Sequence, residues 1–334
     1  MRSALLALVL CGGALGQHDL APDEAAWIDD SMVITMAELD RYLGTVYARK
    51  PEGQQALQQL LEEAIVASEA ARAGITASEE DVTAALADLD AAARESGGGG
   101  LQDALTADVD ATVLRAAMRL HVLQERLVRA EQSLPPDAPL STAQLRAWMD
   151  ARVAQAKLVE APLDDPRAGS FPGGDLPKTG VGERLRAVLP KDKLAGVLTE
   201  MIGVQLVRRR AAQLDIDLTP AEVTHEVLLR DAALKAHSQG LDVSYTQYLE
   251  QVEHRSLQEM IQSDAFGTEV LLRMITEKAL DDEKARAIYE AERDLFARRG
   301  VHGNWDEVRL AVWKELRQRA YREMFANSRI VRRF

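Results

Sequence analysis

Residues 57–89, LQQLLEEAIVASEAARAGITASEEDVTAALADL, hold a helix, its stop and the start of the next helix. Leu57, Leu60, Leu61, Ala64 and Ile65 recur at the three-and-four spacing with which a helix buries one face. Gly74 ends that helix, because glycine takes the left-handed geometry a helix terminus asks for, and Ile75 can fold back on the last turn. Ser78 with Asp81 is an N-cap pair, two acceptors for backbone N–H groups that lack helical partners. Val82, Leu86 and Leu89 then begin a second apolar stripe.

The same grammar returns about 141 residues later in LTEMIGVQLVRRRAAQLDIDLTPAEVTHEV. Leu61 answers to Ile202, Ile65 to Leu206, Ala71 to Ala212, Ile75 to Ile216, Ser78 to Thr219 and Val82 to Val223. Pro220 stands at a first helical position, where its missing N–H costs nothing, and Glu222 completes a capping box. Further on, RAIYEA at 286–291 echoes RAWMDA at 146–151. Either the chain carries an internal duplication, or two alanine-rich amphipathic hairpins resemble each other by chance.

The chain opens MRSALLALVLCGGALGQ: one arginine, an apolar run and small residues, the build of a secretory signal peptide over residues 1–16. The run is too short for the ~20 residues of a bilayer span. A lipoprotein signal using Cys11 would want a small residue before the cysteine, and Leu10 is not small. Cys11 is the only cysteine, so a mature chain would have no disulfide, thiolate nucleophile or cysteine-bound zinc. The formal charge of −13 argues against nucleic acid as a partner. Charge is uneven: residues 52–110 hold 13 acidic side chains against Arg72 and Arg94, whereas the last fifty residues are basic. The two ends could dock on each other, or each could be a solvated charged face.

Along the chain, WIDDSMVI (27–34) reads as a small hairpin, and Thr35 with Glu38 opens a helix through Val46 that Pro51 and Gly53 break. Residues 96–100, SGGGG, are a spacer. A long helix through Leu127 follows, then a stop at LPPDAP, then a Ser141-capped helix with Leu145, Trp148, Met149 and Val153 inward. Residues 156–195 are dominated by Pro and Gly and read as a linker. Helices return around 198–214, 219–237, 244–252 and 257–279. Asp281 or Asp282 caps another through Leu295, and a last helix from Trp305 leads to a short strand at 329–334. Ile330 and Val331 are expected to pair beside residues 27–34.

Catalytic motifs are not found. GDLPKT (174–179) has Pro177 where a phosphate loop needs glycine. Glu222 and His225 have the Glu-x-x-His spacing of one half of a di-metal site, without a second such motif, and read as exposed helix residues. The six histidines show no HExxH, and no nucleophile elbow is present. No cofactor or metal is expected.

The hairpin WIDDSMVIT, the capped helix MAELDRYL, the run LLEEAIVASEAARAGITASEEDV and the tail WDEVRLAVWKELRQRAYREMFANSRIVRRF together resemble SurA-like periplasmic folding factors. That family includes the parvulin-type peptidyl-prolyl isomerases. The resemblance implies a mainly α-helical fold with a SurA-N-like module at 26–155 and a second related module at 196–334. The linker at 156–195 would stand in place of a parvulin domain. Gly173-Gly174-Asp175-Leu176 is similar to a parvulin turn, but no His, Cys or Tyr lies between Val159 and Leu198 to serve an isomerase. The implied function is ATP-independent binding of unfolded or outer-membrane-bound polypeptides in an apolar groove, with no membrane span. The alternatives are an isomerase with a degenerate catalytic domain and a non-catalytic envelope scaffold. Methionine suits surfaces that accept varied partners, and Met118, Met149, Met201, Met260, Met274 and Met324 are spread along the helices. The candidate client-binding side chains are Tyr42, Met118, Trp148, Met149, Met260, Met274 and Tyr289.

Overall fold

A computed structural model describes residues 20–29, 31–95, 111–237, 243–253 and 255–334. The leader at 1–16 and the glycine spacer at 96–100 lie outside the described residues. The chain divides into two compact units, Met1–Leu39 with Pro190–Phe334, and Asp40–Leu189, the boundary falling within the first helix.

The discontinuous unit starts with strands β1 (Glu24–Ile28) and β2 (Met32–Thr35), the hairpin expected from WIDDSMVI. Asp29 turns the chain at φ 51°, a left-handed geometry that aspartate tolerates better than most side chains. The last strand, β6 (Ile330–Arg332), adds to β1 antiparallel, with Trp27 opposite Val331 and Ile28 opposite Ile330. The pairing expected between the chain's two ends is therefore present, in the sheet order β2-β1-β6.

Helix α7 (Lys191–Gln213) is the axis of this unit, with Leu194, Leu198, Ile202, Leu206 and Val207 all buried. It ends as helix α2 (Pro51–Ala73) does. Ile216 N–H donates to Ala211 O at 3.0 Å, and Asp215 is left-handed at φ 50°. In α2, Ile75 N–H donates to Ala70 O at 2.9 Å, and Gly74 is left-handed at φ 66°. Helix α8 (Pro220–His237) is capped by Thr219 Oγ1, which accepts from Glu222 N–H. The run 257–279 is two helices, α10 (Leu257–Ile261) and α11 (Asp264–Ala279), because Ser263 caps a fresh start by accepting from Phe266 N–H. Helices α9 (Tyr245–Gln251), α12 (Asp282–Ala291), α13 (Arg293–Ala297) and α14 (Trp305–Ala326) complete the unit.

The continuous unit holds the end of α1 (Met36–Val46), α2, α3 (Glu79–Glu95), α4 (Ala111–Glu131) and α5 (Thr142–Ala156). Ser78 and Asp81 cap α3 reciprocally, and Ser141 with Gln144 caps α5 in a full capping box. Pro51 and Gly53 do not separate α1 from α2 as breakers. Pro51 is the first residue of α2, and Gly53 is buried where a Cβ would overlap Tyr47 O.

Residues 156–195, expected as a Pro/Gly-rich linker, carry ordered elements. Strands β3 (Val159–Glu160), β4 (Arg167–Phe171) and β5 (Gly174–Pro177) form an antiparallel sheet, followed by α6 (Lys178–Val188). Of the Pro and Gly residues read as linker, Pro172 and Gly173 join β4 to β5, Gly174 opens β5 at φ 145°, and Gly180 and Gly182 lie within α6. Helix α6 lies so close to α1 that a Cβ on Gly182 would stand 1.8 Å from Asp40 O.

Candidate functional site

A cavity of about 600 Å³ opens in the discontinuous unit among α7, α11, α12 and α14. Buried Leu206 of α7 lines one wall, with Arg209, Arg210 and Gln213 of the same helix towards the rim. Ile275, Thr276 and Ala279 come from α11, followed by Leu280, and Ile288 comes from α12. Helix α14 supplies Leu316, Arg319, Ala320, Glu323 and Met324. The floor continues into a core of Val207, Ala211, Ile216, Leu271 and Ile275, against which Met324 packs. The cavity thus joins an apolar floor to a charged rim, the arrangement of sites that take apolar side chains and orient them by a few polar groups.

Two of the rim arginines are held by carboxylates. Arg209 pairs with Asp29, and Asp29 Oδ1 also accepts Arg329 N–H at 2.7 Å. Burial raises the Asp29 carboxyl, but the Arg329 amide and Arg209 overcome it and hold the group below its ordinary range. Arg319 donates to both oxygens of Glu292, at 3.2 and 2.5 Å. That donation, against burial, holds the Glu292 carboxyl low. Arg210 donates only to the neutral amide of Gln213, at 3.3 Å.

The candidate client-binding side chains do not converge. Trp148 is buried in a core with Val66, Ala70, Leu127 and Val128, with Met149 packed beside it half-buried. Met260 is buried with Leu249, Phe266 and Val270, and half-buried Met274 bridges that core to the one below the cavity. Tyr289 is buried, its hydroxyl donating to Gly303 O at 2.9 Å and its ring edge-on to Phe296 at 5.4 Å. Trp148, Met260 and Tyr289 are interior residues packed in cores, the usual place of apolar side chains at helical spacing. Tyr42 and Met118 are half-buried, in the continuous unit. None of the seven lines the cavity.

The motifs weighed for chemistry are consumed by structure. Lys178 Nζ is buried and donates to the carbonyl oxygens of Pro162 at 3.2 Å, Asp165 at 2.6 Å and Leu163. Burial pushes this ammonium down, with Asp165 and Asp164 opposing it. It pins the loop before β4 and has no donor left for a phosphate. Glu222 does not reach back as the expected capping box requires. Its Oε2 accepts from buried Arg273 at 2.6 Å, beside Glu226 at 2.9 Å and Glu277 at 2.8 Å. Among the described residues, no group of three or more His, Cys, Asp or Glu is placed to hold a metal ion.

The cavity arginines were not singled out in the sequence, although the basic balance of the last fifty residues was the signal for those on α14. Leu316, Ala320 and Met324 repeat at four-residue spacing beside the core stripe Val308, Val312, Leu316, and this second stripe is what lines the cavity.

The class the fold defines is a mainly α-helical protein, 69% helix in fourteen helices among the described residues, with an N-terminal hairpin joined by a C-terminal strand. No helix among those residues is long and apolar enough to cross a membrane. Comparisons with protein-family models, with curated proteins and with solved structures find no match to this chain.

Proposed function

We propose that this chain is an exported, ATP-independent chaperone that holds unfolded or outer-membrane-bound polypeptides by burying an apolar segment in the cavity beside α14. The observation that carries this reading is an apolar hollow between helices, lined by half-buried Ile288 and Met324 and by buried Leu206, Ile275 and Leu316. A space of this kind gains free energy from apolar area of many shapes, and Met324 adapts to them. Binding is weak and broad, since ordering the client offsets much of that gain. The resemblance of the hairpin, the Gly-Ile-Thr turn and the tail to SurA-like factors points the same way.

Aggregation of several unrelated denatured clients tests the reading. The wild-type chain is expected to suppress it without nucleotide. Ala279→Trp fills the cavity from an exposed wall position and is expected to abolish suppression while leaving Tm unchanged. Full suppression by Ala279→Trp, or none by the wild type, would overturn the assignment.

A further inference from the structure

A second, more open cavity of about 410 Å³ adjoins the first along α14 and shares Arg319 and Glu323 with it. Its apolar contributions are Leu295 and Ala326, and its charged lining is Arg299, Arg319, Arg322, Glu292 and Glu323. Arg319 stands where the two meet. It reaches across to both oxygens of Glu292, with its guanidinium 5.9 Å from the Phe296 ring centre. Arg319 thus lines both hollows, and the Glu292 that holds it lines the second.

Charge says what such a groove accepts. The chain as a whole is at −13, yet the two cavities together are lined by five arginines against Glu292 and Glu323. Arg299 and Arg322 share one carboxylate, that of Glu315, which leaves the pair with an excess positive charge. Arg210 has no carboxylate partner among the described residues. An arginine already matched to a carboxylate offers a ready exchange: an incoming carboxylate can take the place of Glu292 with the same two-pronged geometry.

We propose that the two cavities form one groove for an extended polypeptide segment in which an acidic residue is flanked by apolar ones. The acidic side chain displaces Glu292 from Arg319, and the apolar neighbours occupy the hollows on either side. This deepens the holding function proposed above and rests on it. Arg319 and Glu292 are then specificity-determining residues, because a basic residue at the same place would meet the arginines with like charge.

The test uses the full chain and two fluorescein-labelled peptides, identical except for Glu or Lys at the centre of a Leu- and Phe-rich run, read by anisotropy at low salt. The Glu peptide is expected to bind about tenfold more tightly than the Lys peptide, the scale of one charge-assisted pair. Arg319→Gln should bring that ratio close to one. Glu292→Gln, which frees Arg319 without removing it, should widen the ratio about threefold or more. Circular dichroism melts establish that each variant is folded. Equal binding of the two peptides by the wild type, or a preference that persists in Arg319→Gln, would overturn the groove while leaving the holding function standing. Binding of neither peptide, with no suppression of client aggregation, would remove both.

Discussion

A buried indole needs an acceptor, and Trp148 finds it in Glu131: Nε1 donates to Oε2 at 2.7 Å. Arg152 donates to the same oxygen at 2.5 Å and lies 5.5 Å from the indole centre. The hydrogen bond from Trp148, then that from Arg152, hold the Glu131 carboxyl below its ordinary value of 4.5. A carboxylate depressed on folding contributes stability that is present at neutral pH and lost as pH falls through its folded pKa. The Trp148 indole N–H resonance is therefore expected to hold steady from pH 7 to 4.5 and to shift only below that. Glu131→Gln should shift it at pH 7 and cost about 0.5 kcal/mol, a small figure because Glu131 is half-exposed and solvent screens the pair. An NMR titration with a urea melt of the variant checks both, and a resonance indifferent to Glu131→Gln would refute the link. Trp148 also shows where sequence reading divides. Its helical spacing placed it inward, its residue type placed it among client contacts, and packing followed the spacing.

At the scale of elements, turns and caps were the most legible features because each is set by a few adjacent residues. Gly74 and Asp215 adopt the same left-handed turn, and Ile75 and Ile216 close it with matching backbone bonds. What could not be read was the order of residues 156–195, where Lys178 ties down the 162–165 loop and α6 is held to α1 by Arg186 donating to Asp40 at 2.8 Å, far along the chain. Asp40 is buried, and the desolvation that raises its carboxyl outweighs the help of Arg186. The crossing of α1 and α6 requires glycine for reasons no local pattern shows. Gly182→Ala would push a Cβ into Asp40 O and is expected to cost about 2–3 kcal/mol, since backbone cannot yield there as a flexible side chain would. Gly196→Ala is the counterpart. It lies inside α7 with nothing within 4 Å of its added Cβ and should stabilise the chain by about 0.5–1 kcal/mol. Urea denaturation of the two variants measures both signs. A destabilised Gly196→Ala would show that the face of α7 at Gly196 is covered, and a neutral Gly182→Ala that α1 and α6 do not cross so closely.

At the scale of the whole molecule, the discontinuous unit is closed by its own two ends, across a separation of 300 residues between Asp29 and Arg329. Closing so long a loop costs entropy that grows only slowly with its length, so a few well-made bonds suffice to hold it. Asp29 N–H donates to Arg329 O at 2.7 Å, and Arg333 N–H donates to Ala25 O at 3.0 Å. In an antiparallel ladder, hydrogen-bonded and non-bonded pairs alternate. Trp27 and Val331, midway between those two pairs, therefore form a bonded pair whose amides point at each other. Arg332 is out of phase, and its amide faces away from β1 on the sheet's outer edge, where proline is tolerated. Val331→Pro is thus expected to cost about 1–3 kcal/mol and to speed hydrogen exchange at Trp27 and Asp29, while amides within α2 keep their protection. Arg332→Pro should cost less and leave the Trp27 amide protected, losing mainly the 2.9 Å bond from Arg332 to Thr199 Oγ1. Hydrogen exchange followed by NMR separates the two. The reverse order, with Arg332→Pro the more damaging, would place the strand one residue out of register and undo the closure of the chain's ends.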